Sequence, residues 1–397
     1  MKTKAGHLTY CTNIHTGTNW ADHFREIKTY VPEIKKSVAP EEKMGLGLRV
    51  SRQMQIDLTE ERTFQEFKLW LEQNDLYVFT INGFPYGSFH SSVIKEKVHA
   101  PDWTTPDRLE YTLRLFDLLD RLLPENIKEG GISTSPLSYR HWFTSDLQLE
   151  NATQHATMQI LKIADYLNQI FQRSGNILHL DLEPEPDGII EDGAEFVQWY
   201  MDVLLPLAHD YFAQKKMTTK EAEEVVRRHI QLCYDVCHMA VEYENQPLLI
   251  DILKKNDISI GKIQLSSAIK IPAGGSPDGL KAFVEDQYLH QAVIKTGSGE
   301  LLKFKDLDEA LKSEYPQNAE WRVHYHVPLF TEKYHSLDST RDYIQEIIQL
   351  HKQTPLTDHL EIETYTWEVL PEDLQLPIEE SISREYQFIL NEIKSKS

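Results

Sequence analysis

Cysteine is scarce, with Cys11, Cys233 and Cys237 the three in 397 residues. A small, odd number argues against a disulfide scaffold and for a reducing compartment. Cys233 lies inside an apolar run, and with Cys237 it reads as a small core residue ahead of a soft metal ligand. Long apolar runs are also missing, and none approaches the length of a membrane-spanning helix. The basic start, residues 1–7, is not followed by an apolar segment, so no secretory signal is expected and a cytoplasmic location is. Positive charge is in deficit: 41 Lys and Arg stand against 62 Asp and Glu, a formal net charge of −21. That balance opposes binding to nucleic acid or anionic lipid. It leaves a small-molecule partner open, since one pocket can differ from the whole surface. No G-x-G-x-x-G follows an apolar run and no P-loop is present, which weighs against a doubly wound nucleotide-binding sheet. Solenoid-period repeats and low-complexity tracts are absent too.

What is present is a repeated beat of short apolar run, polar end and amphipathic helix. The length suits one large α/β barrel with insertions or two domains, and 41% apolar residues are ample for a core. Strands are predicted over residues 8–14, 45–50, 76–81, 131–134, 176–182, 230–234, 258–265 and 359–364. Helices are predicted over residues 20–30, 63–73, 107–123, 151–172, 194–207, 219–228, 248–255, 341–352 and 378–394. Asn151 is the expected cap of one helix, and Thr218 or Thr219 of another. Eight such units define a closed (β/α)8 TIM barrel, expected as a single domain over residues 1–397. The beat breaks in a long insertion after strand seven. There residues 291–295 and 301–305 flank Thr296-Gly297-Ser298-Gly299, a hairpin signal, followed by a short helix over 306–313 and an extended run over 321–328. The portion 267–320, hairpin and short helix, is expected over the C-terminal face of the barrel.

Residues at the C-terminal ends of barrel strands converge on one face. This chain places Asn82 after strand three, Ser133 and Thr134 at strand four, and Glu183 then Glu185 after strand five. Asp235 ends strand six, with His238 three residues on; Gln264 is near the end of strand seven, and Glu363 near the end of strand eight. The insertion offers His324 and His326, which alternate and so share a face of an extended run. Asp235 and His238 taken alone also fit a helix cap and a packed histidine. Converging carboxylates repel unless a cation or a proton compensates, so the set reads as a divalent-metal inventory. Glu185 is an alternative to Glu183 as the inward carboxylate. His15 and Asn82 are candidate pocket-lining residues, and Lys270 and Arg322 candidate partners of an anionic group. The loop Asn82-Gly83-Phe84-Pro85-Tyr86-Gly87 is a turn signal that would shape a pocket wall. Trp367 reads as packing rather than as a sugar-stacking ring.

Glu-Pro after strand five, Asp-x-x-His after strand six and Glu-Thr after strand eight resemble the xylose-isomerase-like barrel superfamily of sugar isomerases, epimerases and endonuclease-IV-type enzymes. H-L-T-Y-C-T-N-I-H from His7, L-E-P-E-P from Leu182 and Y-D-V-C-H from Tyr234 are similar to EboE-type metabolite traffic proteins. The resemblance implies metal ligands at Glu183, Asp235, His238 and Glu363, with Gln264 where the superfamily carries histidine. It implies an ion of zinc, manganese or magnesium, with Glu183 or Glu363 as ligand and base and His238 as positioning group or acid. The R-V-H-Y-H run from Arg322 resembles the endonuclease-type Asp-x-His segment, with His324 in the aspartate's place. Asn82 and Ser133 stand where those enzymes complete a three-zinc site with histidines. The expected function is a metal-dependent isomerase or epimerase of a polyol, sugar or cyclitol, serving processing or traffic of a small metabolite with possible protein partners. A phosphoester metallohydrolase and a non-catalytic accessory protein are the alternatives.

Overall fold

The computed structural model describes residues 1–87, 94–366, 370 and 375–395. Eight parallel strands form its centre: β1 (Gly6–Tyr10), β2 (Leu48–Arg49), β3 (Thr80–Asn82), β4 (Glu129–Thr134), β5 (Ile177–Leu182), β6 (Ile230–Asp235), β7 (Ile260–Leu265) and β8 (His359–Ile362). Pairing runs from β2 through β3, β4, β5, β6, β7 and β8 to β1. A parallel bridge between Cys11 and Gly47 joins β1 to the start of β2 and closes the ring. The fold is therefore a (β/α)8 barrel.

Alternation explains the core. Leu178, Leu180 and Leu182 of β5 and Ile230, Leu232 and Tyr234 of β6 belong to the hydrophobic core between sheet and helices. The opposite set points into the barrel and is unusually polar. His179 stacks on His359 with ring centres 5.3 Å apart, and its Nδ1 meets Asp181 Oδ1 at 2.6 Å. One layer up, Lys262 Nζ donates to Glu361 Oε2 at 2.6 Å and to Ser133 Oγ at 3.0 Å. All five of these charged or ionisable residues are buried. Small residues make room for them: a Cβ on Gly261 would lie 1.9 Å from Asp181 Oδ1, and one on Gly47 would lie 1.9 Å from Glu361 Oε1. Gly261→Ala is thus expected to destabilise by about 1–3 kcal/mol, as overpacking does. An unchanged urea midpoint would show that the Asp181 side chain can step aside at no cost.

Several predicted edges move. The 76–81 run divides into Leu76–Tyr77, which pairs with Met44–Gly45, and β3. The helix predicted from Asn151 starts a turn and a half earlier, at Asp146–Ser174, because Ser145 accepts from Gln148 N and supplies the cap. Thr218 caps Thr219–His229 in a reciprocal box with Glu221. Between β7 and the helix Arg341–Gln353 the chain builds more than a hairpin. Six antiparallel strands lie in the order Leu301–Phe304, Ala292–Lys295, Glu320–Val323, Ile269–Ile271, Leu337–Ser339 and Lys333–Tyr334. This second sheet brings His324 and His326 against His238 and Glu363 at the strand ends. Trp367 lies outside the described residues.

Candidate metal and acid–base site

Above the polar interior, the ends of five strands meet in one buried cluster. Gln264, on β7, is its hub. Its Nε2 donates to Glu183 Oε1 at 3.0 Å, to Asp235 Oδ2 at 2.9 Å and to Glu363 Oε2 by a short contact. Its Oε1 is turned away and accepts from Cys233 Sγ at 3.1 Å. Gln264 thus turns its amide nitrogen, and not its oxygen, toward the three carboxyl groups. Glu363 Oε1 receives two further amide donors, Asn82 Nδ2 at 2.7 Å and Asn13 Nδ2 at 2.9 Å. Asp235 accepts from Ser266 Oγ at 2.8 Å and from the backbone N–H of His238 at 3.1 Å, so it also caps the short helix Val236–Val241.

These environments divide the carboxyls. Burial, then the Asp235 charge, lifts Glu183 well above the ordinary carboxylate range. Burial, then Glu183 and Asp235, does the same to Glu363. Burial would raise Asp235 as well, but His238, His326, Ser266 and the His238 N–H outweigh it and hold it at about 2. The site therefore pairs one ionised aspartate with two carboxyls that hold protons readily.

Beside the carboxylates lies a group of imidazoles. His238 Nε2 is 3.1 Å from His324 Nε2 and 3.4 Å from His326 Nε2. Burial, followed by the neighbouring His238, lowers His324 well below its usual range. Burial lowers His326 to about 4 against the pull of Asp235. Glu185 joins this side: it falls within ligand spacing of His238 and His324, and its Oε2 has no hydrogen-bond partner although the residue is 7% exposed. Both glutamates of the Glu-Pro-Glu run thus face inward, Glu183 to the carboxylates and Glu185 to the imidazoles. Asp235, His238 and His326 also lie within ligand spacing of one another, as do Glu183, Asp235 and Glu363. A buried carboxyl oxygen without a hydrogen bond, within ligand spacing of imidazole nitrogens, fits a divalent cation. Phe84, Pro85, Val98 and Tyr365 form an apolar wall of the cavity over Glu183 and Glu363.

Three expected contacts lie elsewhere. His15 sits behind β1, where its Nε2 meets Tyr10 Oη at 2.8 Å and its ring stacks on Tyr30. Arg322 donates to Ala240 O at 2.7 Å and lies over the Tyr243 ring, so it staples the second sheet to the barrel. Lys270, opposite Arg322 in that sheet, reaches Asp342 at 3.5 Å. Both side chains are engaged away from the cluster, Arg322 by the Ala240 carbonyl and Lys270 by Asp342. Conversely, Asn13, Ser266, Gln291 and Cys233 belong to the site and were not read from sequence. Asn13 had a usable signal, since it lies in the turn Thr12–Ile14 just past β1, near the end of the predicted 8–14 run.

No protein-family profile matches the chain, and no curated protein matches it in sequence. Among solved structures, a xylose isomerase-like TIM barrel protein from Mycobacterium smegmatis in complex with magnesium is similar over 98% of this chain and 97% of its own. The TM-score there is 0.50 and the identity 10%. An Anabaena variabilis protein proposed to be a sugar phosphate isomerase/epimerase is similar over 98% of both chains, with TM-score 0.50 and identity 10%. At such identity the likeness is one of fold: this chain shares the architecture of xylose-isomerase-like TIM barrels. No helix among the described residues is long and apolar enough to cross a membrane.

Proposed function

We propose that the protein is a divalent-metal-dependent isomerase or epimerase of a polyol, sugar or cyclitol, acting in processing or traffic of a small metabolite. The observation that carries this reading is the pair Glu183 and Glu363. Both are buried on one cavity, both are raised by burial, and both are steadied by the Gln264 amide. Two facing carboxyls whose protonated forms burial favours are the acid and base that a proton transfer at a carbon beside a hydroxyl requires. One of the two takes the proton, and the other returns it. Asn13 and Asn82 fix the orientation of Glu363. The apolar wall of Phe84 and Tyr365 receives the C–H face of a polyol, while Asp235 stays ionised. An ion of zinc, manganese or magnesium drawn from His238, His324, His326 and the carboxylates would supply Lewis-acid polarisation of a substrate oxygen.

The test is hydrogen exchange. With a panel of ketoses, aldoses and inositols in D2O, the metal-loaded protein is expected to place deuterium at a hydroxyl-bearing carbon. Glu183→Gln is expected to slow that exchange by about 10²–10⁴-fold. A metal-binding protein that exchanges no member of the panel would leave a binding role in metabolite traffic with protein partners, the reading suggested by the likeness to EboE-type proteins. One observation favours a second enzyme reading: the imidazole group of His238, His324 and His326 suits a metallohydrolase of a phosphoester. Release of nitrophenol from bis(p-nitrophenyl) phosphate, abolished in His324→Ala, would favour it over the isomerase.

A further inference from the structure

The seven candidate ligands fall into two sets with opposite hydrogen-bond character, and this separates where an ion can sit. The carboxylate set already has a donor at its centre. Gln264 Nε2 reaches Glu183, Asp235 and Glu363 at once, and Cys233 holds the amide in that orientation by donating to its oxygen. A cation placed among these three carboxylates would meet the N–H face of the amide.

The imidazole set has no amide at its centre. His238 Nδ1 lies 2.9 Å from Pro184 O, and His326 Nδ1 lies 3.0 Å from Glu363 O. A carbonyl oxygen only accepts, so each Nδ1 carries a hydrogen, and in the neutral ring that a metal ligand requires each Nε2 carries the lone pair. His324 follows by one more step. Gln291 Nε2 donates to Pro186 O at 3.1 Å, which turns its Oε1 to His324 Nδ1 at 2.8 Å. His324 Nδ1 is then the donor and its Nε2 the acceptor. His324 Nε2 and His326 Nε2 thus both face His238 Nε2, at 3.1 Å and 3.4 Å, and Glu185 lies within ligand spacing of His238 and His324, its Oε2 without a hydrogen bond and 3.6 Å from His99 Nε2. Neighbouring nitrogens on a zinc with bonds of about 2.0–2.1 Å are about 3.0–3.4 Å apart. Carbonyl acceptors behind the coordinating rings are the usual outer support of metal-bound histidine.

We infer that the resident ion is held by His238, His324 and His326 with Glu185, and that Gln264 closes the carboxylate set of Glu183, Asp235 and Glu363 to metal. This assignment rests on the metal-dependent reading above and makes it specific: the ion and the proton-carrying glutamates occupy separate, adjacent places. Gln291 becomes a positioning residue that fixes the His324 tautomer.

The experiment is metal content of the full chain, equilibrated with zinc and desalted, read by elemental analysis beside circular dichroism. Wild type is expected to retain about one equivalent, with Glu363→Gln retaining the same. His324→Ala and His326→Ala, each folded by circular dichroism, are expected to bind at least about tenfold more weakly, and Gln291→Leu to weaken binding without abolishing it. Zinc retained in both histidine variants and lost in Glu363→Gln would overturn the assignment while leaving a metal-dependent barrel intact. Two equivalents in wild type would also overturn it, because Gln264 would then not exclude an ion. Wild type that takes up no zinc would remove the assignment and the metal-dependent reading together.

Discussion

Lys262→Met, with Glu361 left in place, is expected to destabilise the protein by about 3–5 kcal/mol, the scale for stranding one member of a buried ion pair. Lys262 and Glu361 are both fully buried inside the barrel, joined at 2.6 Å. Burial alone would lower the Lys262 ammonium, yet Glu361 with the nearby Cys233 and Cys11 raises it, so the ion pair is the native state. Glu361 Oε1 has no partner besides, and the space against Gly47 is filled by that oxygen. Removing the ammonium therefore leaves a carboxylate with one orphaned oxygen and one newly unpaired one. The double variant Lys262→Met with Glu361→Leu removes both desolvated charges, and it is expected to recover most of the loss. Urea unfolding of the two single variants and the double gives the coupling directly. Single variants within about 1 kcal/mol of wild type would mean that water reaches the barrel interior and that the pair is no more than a surface-type bridge.

That interior was the least legible part of the fold. Strands β5 to β8 could be read because each apolar run stops at a carboxylate or amide: Glu183, Asp235, Gln264 or Glu363. The same habit of reading a strand by its apolar residues hid what the alternate positions carry. His179, Asp181, Lys262 and Glu361 look like interruptions in a sequence, whereas their period of two places them in a layered polar core. The second sheet was under-read for a related reason. Ile269–Ile271, Lys333–Tyr334 and Leu337–Ser339 are two or three residues long, too short to leave a periodic trace, and they exist because partners on either side pair with them. At the site, the strand-end carboxylates and the His324/His326 pair were visible one by one. Their grouping was not, since the split into an amide-centred set and an imidazole set depends on the Pro184 carbonyl and on Gln291 and Cys233, hydrogen-bonding roles that no motif spells out.

Above about pH 6.5 the metal-free protein is expected to lose stability as pH rises, and zinc is expected to reverse that slope. Below this window two sets of groups compete. Buried histidines such as His324 and His326 have lowered pKa values, so the unfolded chain binds more protons and stability rises with pH until about 6.5. Above it the unfolded histidines, half protonated at about pH 6.5, lose their remaining protons within about one pH unit and drop out. The carboxyls remain. Glu183, Glu185 and Glu363 are raised well above their ordinary range, and Glu385 is raised to about 7, in each case by burial first. Between its unfolded value and its raised folded value, such a carboxyl is protonated in the folded state and ionised in the unfolded one. Its contribution is full below the unfolded value and is lost as pH climbs through the folded value, at up to about 1.4 kcal/mol per pH unit for each proton. Asp235, held at about 2, is ionised throughout and adds no slope here. The buried amine of Met1, lowered to about 5, works in the opposite direction, one group against several. A divalent ion needs ionised carboxylate and neutral imidazole, so it competes with these protons and binds more tightly as pH rises. At an ion concentration about 100-fold above the dissociation constant the gain is about 2.7 kcal/mol. Thermal melts of chelator-treated and zinc-equilibrated protein at pH 6.5, 7.5 and 8.5 measure both curves. Metal-free protein whose midpoint climbs across that range would place the glutamates in contact with solvent. A zinc shift that is the same at every pH would mean that no buried carboxyl gives up a proton to the ion, and Glu185 would then not be among its ligands.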